Sequence, residues 1–123
     1  MAASTDFQAV FKELKQLLKP FEPHLLVQAD TPENYYLNTP YTEKYKKELF
    51  FGAVQIKKNY VSYHLMPVYM FPDLLDDLSA GLRKRMQGKS CFNFRRLEPE
   101  QVQELAHLTE RGLVRLKEER LIT

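Results

Sequence analysis

The segment Met86-Gln87-Gly88-Lys89-Ser90-Cys91-Phe92-Asn93-Phe94 gathers a large share of the chemically capable side chains in this sequence. Gly88-Lys89-Ser90 ends like a phosphate-binding loop, in which glycine-rich amides and a lysine cradle phosphates. The spacing excludes that reading. Such a loop needs a glycine five residues before the second one, and Arg83 stands there. It also runs from a strand into a helix, so that amides at the helix N-terminus face the phosphates. Here a helical pattern leads into Gly88 and a strand pattern leaves it. Cys91, the only cysteine, reads as a small, partly buried thiol. Lys89, Arg85 and Arg95 would lower its pKa if they approached it. His64 has an imidazole whose ordinary pKa suits a base or a metal ligand. No carboxylate or cysteine stands at ligand spacing from it, and His24 and His107 fall in a loop and on a helix. No residue is therefore assigned to catalysis or to a metal.

Charge clusters are read just as plainly. Between Asp77 and Glu98 the chain carries Arg83, Lys84, Arg85, Lys89, Arg95 and Arg96 with no acid. Such a run can attract phosphate through counterion release, but no aromatic-interleaved binding motif accompanies it. It reads as a solvated face, and nucleic acid is not expected as a partner. Asp73, Asp76 and Asp77 lie at helical spacing and read as a solvated, capping face, since hard cations usually take more oxygen ligands.

Composition bounds the rest. The chain has 123 residues, enough for one domain that buries roughly two-thirds of its unfolded surface. A hydrophobic share of 44%, with 7 Tyr and 8 Phe, argues against disorder. A net charge of +2 is too mild to imply nucleic acid unaided. A lone cysteine forms no internal disulfide. Met1 to Asp6 shows no basic segment followed by an apolar run, and no stretch is apolar enough to span a bilayer. A cytoplasmic protein without membrane association is expected.

The elements that must position these side chains follow from periodicity. Thr5 and Gln8 form a capping-box pattern ahead of a helix carrying Phe7, Val10, Phe11, Leu14, Leu17 and Leu18, which Pro20 ends. Leu25 to Asp30 and Asn34 to Thr39 read as strands around the turn Thr31-Pro32-Glu33. Pro40 to Lys47 reads as an exposed loop. Glu48 to Lys57 and Tyr60 to Met66 form a hairpin around Lys58-Asn59. Phe71-Pro72 opens a helix with Leu74, Leu75, Leu78 and Leu82 on its apolar face; Ser79 caps a second short turn and Gly88 is its stop. Ser90 to Arg95 is a strand, and Pro99 starts a long helix that Gly112 weakens. Strands joined by short turns pair antiparallel, and amphipathic helices need a sheet face to cover. The expected fold is α+β: one antiparallel sheet with helices mainly on one side.

Two stretches carry a family likeness. Tyr60-Val61-Ser62-Tyr63-His64-Leu65-Met66-Pro67-Val68-Tyr69 and Arg85 to Phe94 resemble the YdhG-like domain-of-unknown-function family. That family is grouped with frataxin-like and YjbR-like domains. Ala29 to Leu37 and Leu49 to Val54 fit the same pattern, so the likeness spans roughly Leu14 to Lys117. The resemblance implies an α+β fold and, from some relatives, intracellular iron chaperoning, with iron as the cofactor to consider.

Pleat alternation then sorts the polar residues. If helices cover Val61, Leu65, Phe92 and Phe94, the other face displays Ser62, His64, Asn93 and Arg95. Gln55 joins from the hairpin partner, Tyr36 from an outer strand, and Lys89 from the rim. A face of that composition suits a small anionic ligand or a protein partner. The resulting reading is a non-enzymatic binding module, monomeric or homodimeric, with Phe51 and Met66 as the apolar centre of a dimer. The alternatives are an iron chaperone and an enzyme using Cys91 or His64.

Overall fold

The structure, a computed structural model, describes residues 6–122. The capping-box residue Thr5 lies outside them. Asp6 caps the first helix, α1 (Phe7–Leu18), its side chain accepting from the Ala9 amide. Val10, Phe11, Leu14 and Leu18 lie on the buried stripe that the helical spacing sets out. A 3-10 turn at Lys19–His24, built around Pro20 and Pro23, delivers the chain to the sheet. There Glu22 accepts a hydrogen bond from the Tyr35 hydroxyl.

Six strands form one antiparallel sheet: β1 (Leu26–Thr31), β2 (Asn34–Asn38), β3 (Phe50–Ile56), β4 (Val61–Leu65), β5 (Met86–Gln87) and β6 (Cys91–Phe94). Their spatial order is β1-β2-β3-β4-β6-β5. The fold is therefore α+β, as the strand and helix patterns imply. α1 and the long α4 (Pro99–Glu118) cover one sheet face, and Tyr35, Val54, Tyr63, Leu65, Phe92 and Phe94 are buried beneath them. The Tyr63 hydroxyl and Thr109 Oγ1 of α4 are 2.6 Å apart, and Thr109 donates on to Leu105 O at 2.7 Å. This pair satisfies the polar groups in the apolar layer, and burial pushes the phenol pKa up.

The segment after β4 differs from its expected form. Met66–Met70 is a short helix, α2, with Pro67 in its first turn. Pro72–Leu75 is a single 3-10 turn, and α3 is only Ala80–Arg83, capped by Ser79 Oγ accepting from the Leu82 amide. The helix does not continue to Gly88. Met86 instead pairs with Phe92 and turns its side chain toward the core, and the Asn93 amide donates to Arg85 O. Gly88, at φ +81°, belongs to the β5–β6 turn, a backbone conformation that glycine adopts without steric cost. Sheet pairing outweighed a helical periodicity that local propensity alone supports.

Asp73 also has a specific role. Its carboxylate takes two hydrogen bonds from Arg115 of α4, at 2.9 and 3.1 Å, which holds its pKa down. The basic run is dispersed: Arg83 donates to Leu75 O, Arg96 pairs with Glu98, and Arg95 donates to Asn59 O.

Candidate functional site

The sheet face opposite the helices carries the side chains of interest. Directly paired residues on antiparallel strands share a face, so the register lays them out in rows. One row runs Asn34, Gln55, Ser62, Asn93. The next runs Tyr36, Ala53, His64, Cys91, with Gln87 beyond. Five of the seven residues expected at the site, Tyr36, Gln55, Ser62, His64 and Asn93, thus share one face, but Ser62 is only 1% exposed and donates its hydroxyl to Gln55 O, so four of them reach the surface.

The other two do not join them. Lys89 is exposed in the turn ahead of β6. β6 ends at Phe94, so pleat alternation no longer directs Arg95. Its Nε donates to Asn59 O at 3.0 Å, and it lines a recess with Lys58, Asn59 and Phe7 of α1, at the helical side of the sheet. Phe51 is a further correction. The β2–β3 register shifts between Leu37 and Asn38, so a bulge sends Phe51 into the core and leaves Phe50 opposite Asn38 on the open side.

Two participants escaped the sequence reading. The first is Lys57, exposed and one residue past the end of β3. Its charge acts on both His64 and Cys91, and among the described residues it makes no ion pair. No sequence signal marked it, since pleat parity lapses past the end of β3. The second is Phe50, whose ring lies 4.8 Å from that of Tyr36 and 6.2 Å from that of His64. Beyond Phe50 the face opens into a cleft of about 400 Å³, lined mainly by Tyr45, Leu49, Met66, Tyr69 and Met70, with Lys47 and Glu48 at it as well.

Cys91 and His64 are neighbours in space. Cys91 Sγ lies 3.5 Å from His64 Nε2 and 3.2 Å from Asn93 Oδ1, to which the thiol donates. Gln55 Nε2 donates to Asn34 Oδ1 at 3.0 Å, a second polar group on the same face. Burial, and then the Lys57 charge, holds the His64 pKa below its ordinary 6.5. Burial pushes the Cys91 thiol above its ordinary 9.0, with Lys57 opposing. Both groups are therefore neutral at pH 7, which is the opposite of a thiolate–imidazolium pair. Among the described residues no cluster of three or more His, Cys, Asp or Glu side chains is placed to hold a metal ion. None of their helices is long and apolar enough to cross a membrane.

Comparison with family models, known proteins and solved structures finds no match. The site's chemistry is therefore read from its own geometry.

Two outcomes follow from the neutral pair. Cys91 is expected to react with iodoacetamide at pH 7 more slowly than free cysteine, because less of it is thiolate. Timed mass spectrometry checks this, and a faster reaction contradicts the neutral pair. For His64, the unfolded chain binds a proton more tightly than the folded one. Its contribution to stability is thus present above pH 6.5 and is lost as pH falls toward the lowered folded value. Urea midpoints at pH 7.5 and 5.5 should differ less in His64→Gln than in the parent. An equal difference in both would show that His64 does not titrate this way.

Proposed function

We propose that this protein is a non-enzymatic, cytoplasmic binding module that receives a small anionic ligand on its open sheet face. The carrying observation is one of charge. Asn34, Gln55, His64 and Asn93 share that side, and the charge of exposed Lys57 reaches His64, its ammonium free of ion pairs among the described residues. None of the paired open-face residues of β2, β3, β4 and β6 is a carboxylate. An exposed cation without an ion pair, beside carboxamides and at the far end of the face from Glu48, favours an anion. Carboxamides beside it supply directional hydrogen bonds, and the aromatic pair Tyr36–Phe50 forms an apolar wall. A neutral thiol and imidazole suit binding better than nucleophilic attack. Kinship with YdhG-like domains is part of the same proposal and rests on the motif residues now found on β4, β5 and β6.

The test is calorimetric titration with phosphate and a panel of small mono- and dicarboxylates. Saturable binding is expected, and Lys57→Gln should weaken it at least tenfold, the scale of a hydrogen bond to a charged group. Equal affinity in the variant would remove Lys57 from the site. Absence of saturable binding across the panel would remove the anion.

A protein partner is the second reading. It is favoured by the apolar cleft at the end of this face, where Tyr69 is 54% and Tyr45 43% exposed.

A further inference from the structure

We infer that the anion carries a nucleobase, so that the open face binds a nucleoside phosphate, free or as part of a single strand. This deepens the anion-binding reading above and rests on it. A bare phosphate or carboxylate would use Lys57 and the amides, and any apolar side chain could wall it, so the π faces of the rings would have no stacking partner. Tyr36, Phe50 and His64 come from three adjacent strands to form one continuous set of rings beside those polar groups. All three are half-buried, so the rings are held by the sheet yet still reach the surface. Every base has a flat π surface, and stacking on aromatic side chains is how sheet faces hold single-stranded bases.

The polar groups fit the edges of a base. Gln55 Nε2 is engaged by Asn34 Oδ1, and Asn93 Oδ1 by the Cys91 thiol. The ends left over, the Gln55 carbonyl oxygen and the Asn34 and Asn93 amide nitrogens, comprise an acceptor and donors on one row. Carboxamides of this kind pair with base edges, which themselves alternate donors and acceptors. A neutral His64 adds a ring that stacks without repelling the base. Lys57, exposed just past the end of β3 and two residues from Gln55, supplies the charge for a phosphate oxygen. The basic segment from Arg83 to Arg96 has aromatics only at Phe92 and Phe94, both buried in the core. The rings reach this face from other strands.

The experiment uses the full chain, isotopically labelled, titrated in parallel with inorganic phosphate, adenosine, adenosine monophosphate, uridine monophosphate and an eight-residue single-stranded oligonucleotide. The mononucleotides are expected to bind at least tenfold tighter than inorganic phosphate, with shifts at His64, Asn93 and Gln55. Phe50→Leu keeps an apolar side chain but removes the π face. It should cost the nucleotides about tenfold while leaving phosphate affinity unchanged. Tyr36→Leu provides the same reading should Phe50→Leu fold poorly, with circular dichroism verifying each fold. An oligonucleotide that binds no tighter than the monomers assigns the site to free nucleotides, and a much tighter one to a strand. Phosphate bound as tightly as the nucleotides, or nucleotides indifferent to both leucine variants, overturns the inference and leaves the anion reading standing. No binding by any probe sinks both.

Discussion

Phe92→Ala is expected to lower the stability of this protein by about 3–5 kcal/mol, the cost of removing a fully buried phenyl ring and leaving a cavity. Phe92 is fully buried, paired with Tyr63 on one side and Met86 on the other, beneath the helical layer. Little can collapse into the space, because its neighbours are held by the sheet ladder and by the Tyr63–Thr109 hydrogen bond. A urea titration should show a lower midpoint with an unchanged slope. A loss under 1 kcal/mol would mean that this layer packs loosely. The consequence reaches the site, since Cys91 and Asn93 flank Phe92 on the same short strand. A variant that still folds should therefore bind its anion more weakly.

Gly112→Ala should destabilise the protein by up to about 2 kcal/mol net, although alanine is the better helix former by about 1 kcal/mol. A methyl group at position 112 would lie 2.9 Å from Pro67 Cβ and 3.2 Å from Pro67 Cγ. The proline ring is stiff and is itself buried in α2, so α2 and α4 must separate; overpacking of this kind costs about 1–3 kcal/mol. Gly81→Ala is the matched control. Nothing lies within 4 Å of a methyl there, and the residue is in α3. That change should stabilise by up to about 1 kcal/mol. Thermal melts of the two variants should move in opposite directions. A stabilised Gly112→Ala would refute the close approach.

Much of the framework was legible because apolar periodicity reports directly on burial. The helix from Phe7 and the helix from Pro99 follow from their apolar spacing, and the β3–β4 hairpin from two strand patterns around Lys58-Asn59. Alternation along Tyr60–Met66 and Ser90–Arg95 was enough to place Ser62, His64 and Asn93 together, because a pleat leaves each side chain only two directions. What it missed depends on register and on chain ends. A bulge is one extra residue opposite one partner, and nothing in Leu49-Phe50-Phe51-Gly52 marks which phenylalanine turns inward. Arg95 falls one residue past its strand, where parity lapses. Met86-Gln87 carries too short a pattern to announce an edge strand. It is a strand only because β6 lies beside it to accept the pairing.

Sequence by itself determined an antiparallel α+β sheet, its two principal covering helices, and the parity that turns Ser62, His64 and Asn93 away from the apolar layer. These depend on local spacing, and the burial of apolar side chains enforces them. Only the tertiary structure decided that Cys91 meets His64, that Lys57 rather than Arg95 acts on the Cys91 thiol, and that Phe50 rather than Phe51 faces out. Those outcomes depend on which residue of one strand stands opposite which residue of another. Interstrand register is a long-range hydrogen-bonding choice, settled by the packing of the whole sheet.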